Sequence, residues 1–450
     1  MANKASAELG TAPIGKLLIS QALPASIGIL VMSLNMVVDT IFVGQWIGAM
    51  AIAAITVVVP LTFLIASIGM AIGVGGASII SRALGADDHD KAQRTFGNQI
   101  VLSFGLSVFF VIVGLIFKEE ALALFGANGK ILGPAEIYYE IIMYCIPFLA
   151  LCMTGNPVVR AEGKPKFAMV ALILPAIGNI LFDYLFINVL DMGMAGAAWA
   201  TSISYFICFL FIYWFFFSKH SELKIRLRCF KLEKAIVREI TELGGVTLAR
   251  QGMVSILSII LNHTLYTYGG ETSVTIYGII SRMLMFSLFP VMGISQGFLP
   301  IAGFNYGAKK LERVRESINI SIKYGTGLAL AIFAIIMFFP EQITAVFTKD
   351  AVVIRDTPNA LRWVFLVTPL IAVQMIGSGY FQAIGKAIPA LLLTLTKQGF
   401  FLIPLILILP KYYGIFGVWI AFPIADLLAT IVTGIYLNKE VRRTLKIAEV

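Results

Sequence analysis

The chain has 450 residues, 59% of them hydrophobic and 13% charged, with a formal net charge of +9. A soluble domain carries roughly 25% charged residues, so composition excludes an ordinary soluble fold. Those charges are clustered, and between them lie apolar runs of membrane-spanning length.

The first dozen residues are polar, with one lysine, and the apolar run that follows is long. It reads as a first membrane span rather than a cleaved signal peptide. In chain order the uncharged runs are Leu17–Val38, Thr40–Ser81, Thr95–Phe117, Ile141–Val159, Met192–Ser218, Gln251–Gly270, Met283–Ala308, Tyr324–Pro340 and Trp363–Gly385. A helix needs about 20 apolar residues to cross the hydrocarbon core. Thr40–Ser81 holds the end of one helix, a glycine-containing turn and a second span. Segments broken by one charge, around Asp183, Lys397 and Asp426, bring the total to twelve spans. The runs do not alternate, which excludes a β-barrel reading. The expected fold is an all-α membrane protein of twelve transmembrane helices.

Of the 34 Lys and Arg, 24 fall on the side that holds the N-terminus and six on the other. The positive-inside rule therefore places both termini in the cytoplasm of a multi-pass protein of the cell's inner membrane. Topology accounts for the +9 charge, and no nucleic-acid surface is needed. Cys145, Cys152, Cys208 and Cys229 lack metal-ligand spacing. No GxxxxGK[ST] motif is present, so nothing points to ATP as the energy source.

The largest polar break, Lys219–Glu242, lies at the middle of the chain. On either side of it the sequence repeats at an offset of about 222 residues. Gly75 matches Gly297, Gly85-Ala86 matches Gly307-Ala308, Pro147 matches Pro369 and Gly155 matches Gly377. Ala161-Glu162-Gly163-Lys164 matches Ala383-Ile384-Gly385-Lys386, and one residue shorter, Gly193 and Gly196 match Gly414 and Gly417. With six spans in each half, the repeats run in the same direction. The expected organisation is an N-terminal six-helix lobe (1–218), a cytoplasmic connector (219–242) and a C-terminal six-helix lobe (243–450). Parallel repeats of this kind build secondary transporters that work by alternating access.

Charged residues inside spans cost roughly 2.5–3.5 kcal/mol each to insert, so each needs a reason. Asp39 lies roughly 34 Å and Asp183 roughly 24 Å from the cytoplasmic edge, at 1.5 Å per helical residue. Asn179 is one turn before Asp183 on the same face. Thr201, about two turns into span 6, is at similar depth. These four can converge into oxygen ligands for Na⁺ or carboxyls that take a proton. The second half has another group, Arg250, Arg282, Lys397 and Asp426, each roughly 14–18 Å deep. Lys397 and Asp426 suit an ion pair on neighbouring spans. The surplus positive charge would face a water-filled cavity, an anionic group or backbone carbonyls.

These residues resemble a known family. Asn35-Met-Val-Val-Asp39-Thr-Ile-Phe-Val-Gly44, Ser81-Arg-Ala-Leu-Gly-Ala86, Arg160-Ala-Glu-Gly163, Asn179-x-x-x-Asp183, Gly196-Ala-Ala-Trp-Ala-Thr201, Gln296-Gly297 and Gly303-Phe-Asn-Tyr-Gly307 together resemble the multidrug and toxic compound extrusion (MATE) family. The N-lobe motif is most similar to its DinF-like branch. The resemblance implies a two-lobed, MATE-like fold with two parallel six-helix repeats. It also implies a transporter rather than an enzyme, with no cofactor, that exports small amphipathic, often cationic, drug-like compounds in exchange for H⁺ or Na⁺. The protein would work as a monomer in contact with membrane lipid. The coupling ion would bind at Asp39, Asn179, Asp183 and Thr201, with no metal beyond a possible Na⁺ there. The NorM branch relies on acidic residues in spans 7 and 10, and this chain lacks them: span 7 has Arg250-Gln251, and no acid lies between Trp363 and Gly385. Two alternatives remain open: an exporter of a lipid-linked or anionic metabolite that uses Arg250 and Lys397, and a passive channel or scramblase.

Overall fold

The computed structural model describes residues 5–127 and 129–445. Lys4 and Lys446, which enter the charge balance, lie outside the described residues. Among the described residues there is no strand. Among the described residues eleven helices are long and apolar enough to cross a membrane: Ile14–Trp46, Ala49–Gly85, His89–Ile116, Gly129–Ala161, Pro165–Val189, Gly193–Phe217, Lys234–Gly307, Leu311–Phe338, Ala351–Ala383, Ala387–Tyr413 and Ile415–Thr444. Lys234–Gly307 runs for 74 residues and is broken at Gly270, whose φ of 63° and ψ of −163° are not helical. At 1.5 Å per residue such a helix would be over 100 Å long, about three times the hydrocarbon thickness. Gly270 therefore divides it into spans 7 and 8, giving twelve.

The repeat is written into the backbone as well as the sequence. Residues in the left-handed region recur in pairs: Gly48 with Gly270, Asp87 with Lys309, Gly163 with Gly385, and Gly193 with Gly414. A left-handed turn ends a helix sharply, and glycine adopts it without a Cβ clash. Both halves thus turn the chain at matching places, which is the two-repeat, six-helix plan.

Contacts divide the chain into two compact units. One comprises 5–9 and Ile27–Thr247, the other Gly10–Ser26 and 248–445. The start of span 1 therefore belongs with the C-terminal spans, and the start of span 7 with the N-terminal ones. Small residues explain both assignments. In the first unit span 2 crosses span 7 so closely that a Cβ on Gly75 would lie 2.4 Å from the Ile240 carbonyl oxygen, and one on Gly244 would lie 2.6 Å from that of Ala71. In the second unit a Cβ on Gly297 of span 8 would lie 2.8 Å from the Ala22 backbone nitrogen of span 1. Gly75 and Gly297 are repeat partners, as are Ala22 and Gly244 by the same offset of 222. Helices in lipid associate through such close backbone approach, because lipid offers no hydrophobic drive to hold them together.

On the connector side of the first unit, polar side chains take the place of apolar packing. Asn98 donates to the Lys231 carbonyl at 3.1 Å and accepts from the Glu233 amide at 2.8 Å. Gln93 pairs with both backbone groups of Lys224. Glu162 is buried and accepts from the Ser221 hydroxyl at 2.7 Å and the Glu222 amide at 2.8 Å. Each bond satisfies a backbone or hydroxyl group that the loop between spans 6 and 7 would otherwise bury unpaired. Burial pushes the Glu162 carboxyl up from 4.5 to about 7, against the pull of these hydrogen bonds.

Candidate functional site

Span 5 is α-helical over Pro165–Asp183 and continues over Tyr184–Val189 with the wider π-type turn. Such turns shift the helix register by a fraction of a turn and recur at functional sites. Asp183 stands at this junction and is fully buried, at 0% exposure. Asn179 is one turn earlier and also buried. Span 1 brings the same residue pair at the same spacing, Asn35 and Asp39.

The two spans meet in two layers. In the amide layer Asn35 donates to Asn179 Oδ1 at 2.9 Å and to the Ala176 carbonyl at 3.2 Å. Asn179 in turn donates to Thr201 Oγ1 of span 6 at 3.3 Å. Tyr138 of span 4 lies close to the Thr201 side chain. One helical turn on, in the acid layer, the Asp39 and Asp183 side chains lie within hydrogen-bonding reach of each other. Among the described residues, neither carboxyl oxygen of Asp183 has a hydrogen-bond donor.

That arrangement has a chemical consequence. An ionised carboxylate accepts hydrogen bonds and donates none. Two unit negative charges about 4 Å apart repel by about 4 kcal/mol even at an effective dielectric of 20. A proton shared between the two acids removes one charge and supplies the missing donor. A monovalent cation between them would likewise offset one of the two charges, with the Asn179 amide oxygen and Thr201 hydroxyl one turn away as further oxygens. Among the described residues no group of three or more His, Cys, Asp or Glu side chains could hold a metal ion.

All four residues expected in the N-terminal lobe are therefore neighbours. Asn35 and Tyr138 join them without having been singled out as site residues. Asn35 did have a signal, since Asn35-x-x-x-Asp39 repeats the Asn179-x-x-x-Asp183 spacing. Tyr138 had none, being one of 15 tyrosines.

The C-terminal group behaves differently. Lys397, in a π-type segment of span 11 (Thr396–Leu402), pairs with Asp426 of span 12 at 2.6 Å. Gln374 of span 10 holds this end of span 12 by donating to the Asp426 carbonyl at 2.7 Å and to Thr430 Oγ1 at 2.9 Å. Arg282 is exposed and donates to the Gly278 carbonyl of its own helix at 3.2 Å. Arg250 is half-buried, with no hydrogen-bond or ion-pair partner among the described residues. The structure thus joins two of the four and leaves Arg250 and Arg282 outside the pair. The four cysteines are buried and unpaired with one another. Cys145, Cys152 and Cys208 point their thiols at backbone carbonyls of neighbouring spans.

Comparison with known proteins agrees with this architecture. The Staphylococcus haemolyticus (strain JCSC1435) protein described as multidrug export protein MepA is 26% identical over 413 residues, covering 92% of this chain and 91% of its own. A solved structure described as the outward-facing conformation of a multidrug resistance MATE family transporter of the MOP superfamily superposes with a TM-score of 0.91 at 29% identity, covering 98% of each chain. A MOP superfamily transporter from Pyrococcus furiosus, described as having a binding pocket of reverse polarity that suggests a different function, superposes at 0.91 and 28% identity over 99% of each chain. The MatE family model matches twice, at residues 24–185 and 248–408, one match in each repeat and together well over half the chain. The chain belongs to the MatE family of membrane transporters.

Proposed function

We propose that this protein is a cation-coupled multidrug efflux antiporter that exports amphipathic, often cationic, organic compounds by alternating access. The family places the chain among transporters, and the curated relative it matches over more than nine-tenths of both lengths is described as a multidrug exporter. The observation that bears the coupling mechanism is the Asp39–Asp183 pair, two acids within hydrogen-bonding reach, with no donor to Asp183 among the described residues. H⁺ or Na⁺ is the co-substrate that completes it. Coupling requires that the ion bind one conformational state better than the other. Asp39 reaches the pair from span 1 and Asp183 from span 5. A change in the rotation or bend of span 1 would separate the acids and release the ion. Asn35 and Asn179 set the register of those two spans one turn away, and Asn179 holds Thr201.

In this reading residues 1–218 and 243–450 act as two six-helix lobes joined by 219–242. The single chain is the transport unit in the inner membrane, both termini are cytoplasmic, and no cofactor takes part. Fold alone does not determine substrate charge, as the Pyrococcus neighbour's reversed pocket polarity illustrates for that protein. The test is ethidium movement in proteoliposomes with a pH gradient and a Na⁺ gradient imposed separately. Uphill ethidium export driven by one of the two supports an antiporter. Movement that only ever runs down the ethidium gradient, whichever ion is imposed, contradicts it and favours a passive pore.

A further inference from the structure

We propose that Arg250, on the bundle-facing side of span 7 at the depth of the Lys397–Asp426 pair, forms a recognition site for the acidic head of an amphipathic organic anion within the C-terminal unit. Arg250 precedes Leu257 by seven residues and Leu261 by eleven, which puts the three on one helical face. Leu257 and Leu261 are buried in the C-terminal core, so that face turns into the bundle. Spans 7 and 11 touch just beyond this level: a Cβ on Gly399 would lie 3.2 Å from Met253 Cε. Arg250 is three residues before Met253 and Lys397 two residues before Gly399. The two cations are therefore at nearly the same depth, within about 2 Å along helices that run in the same direction.

Charge completes the argument. Lys397 is neutralised by Asp426 at 2.6 Å, and Gln374 fixes the Asp426 turn of span 12. Arg250 keeps its charge without a counterion among the described residues. Cations within membrane spans are expensive and mark substrate or ion pathways. One anionic group balances the trio. Guanidinium suits a carboxylate, sulfonate or phosphate ester, which it grips through two parallel hydrogen bonds. Further along spans 7 and 11, Leu257 and Phe401 belong to the apolar C-terminal core, so the rest of the ligand is apolar. The role of this site in export rests on the transport reading above. The binding itself does not.

The test uses the full chain purified in an uncharged maltoside detergent, titrated separately with n-dodecyl phosphate, inorganic phosphate, phosphatidylglycerol and n-dodecyltrimethylammonium. Dodecyl phosphate should bind saturably, at least about 10-fold more tightly than inorganic phosphate, and Arg250→Gln should weaken it at least about 10-fold, a loss within the range for a charge-assisted contact. Phosphatidylglycerol binding as well as dodecyl phosphate, with the same Arg250 dependence, identifies bilayer lipid as the occupant and upholds the site. Unchanged dodecyl phosphate affinity in Arg250→Gln overturns the proposal, as does equal binding of the dodecyl cation. Should Arg250→Gln fail to fold, Arg250→Lys keeps the charge and loses the two-pronged grip. A several-fold weaker affinity in that variant is then the expected result, and an unchanged one is fatal. These affinities are measured without a gradient, so their failure is distinct from failure of gradient-driven ethidium export.

Discussion

The two halves of this protein share a backbone plan and use it for opposite purposes. In the first, Asn179, Asp183 and Thr201 build a buried polar site. Their repeat partners at offsets of 222 and 221 are Phe401, Leu405 and Phe422, of which Phe422 is part of the C-terminal core. In the second half the polar pair is Lys397 and Asp426, whose partners in the first are Pro175 and Tyr205. The C-terminal pair is complete, a cation against an anion with the backbone held by Gln374. The N-terminal pair is two acids, with no donor to Asp183 among the described residues. The first arrangement is a structural tie. The second, in the proposed mechanism, takes up the coupling ion.

Substitutions at the two pairs should have opposite consequences. The largest effect is expected at the acids: Asp39→Asn or Asp183→Asn should cut gradient-driven ethidium export on the order of 100-fold, the upper range of a site-to-site coupling. Both variants should reach the membrane in normal amount, as judged by membrane fractionation. The reverse pattern is expected at the completed pair. Asp426→Asn leaves the half-buried Lys397 uncompensated and should lower stability by about 3 kcal/mol, the low end for breaking a buried pair, whereas the double change Lys397→Met with Asp426→Leu should come close to neutral. Thermal unfolding in detergent reads both, and a stable Asp426→Asn single variant would remove the contrast between the halves.

Glu162 gives a pH-dependent prediction outside the membrane spans. Its carboxyl is held at about 7 instead of 4.5 by burial, with the Glu222 charge adding to the rise and hydrogen bonds from Ser221, Glu222 and Leu223 opposing it. The folded protein thus binds an extra proton between these values. Its contribution to stability is full below about pH 4.5 and is lost as pH rises through 7. Glu162→Gln should flatten that part of the melting temperature against pH, and an unchanged slope would reassign it. The smallest effect is expected at Asn35→Ala, which removes two amide-layer hydrogen bonds worth about 1 kcal/mol each. Ethidium export should fall several-fold without being lost, and a loss as complete as that of Asp39→Asn would move Asn35 into the acid layer's role.

Much of this was legible in the sequence, for a physical reason. Bilayer thickness sets the length of every span, so apolar runs report the spans directly, and glycines at fixed offsets report the repeat. Depth along a helix follows from counting residues, which is why Asp39, Asp183, Asn179 and Thr201 were expected together. Rotation about each helix axis and the choice of neighbouring helix do not follow from counting. The structure therefore separates Arg282 from Lys397 and Asp426, although all three have similar depths. It brings in Tyr138, whose neighbours depend on how span 4 faces span 6. The assignment of the first turns of spans 1 and 7 to the opposite units was likewise hidden. It depends on Gly75 meeting Gly244 and Gly297 meeting Ala22, and small residues alone do not say which helix they touch.

The central claim is that the Asp39–Asp183 pair carries the coupling ion. The most direct measurement records ion and drug together: inward H⁺ or Na⁺ flux and outward ethidium flux in the same proteoliposomes, for wild type and Asp39→Asn. The account predicts that in wild type the two fluxes rise and fall together, and that in Asp39→Asn both drop to the leak of empty vesicles. Ethidium moving uphill at the wild-type rate in Asp39→Asn, with its ion flux intact, would contradict it.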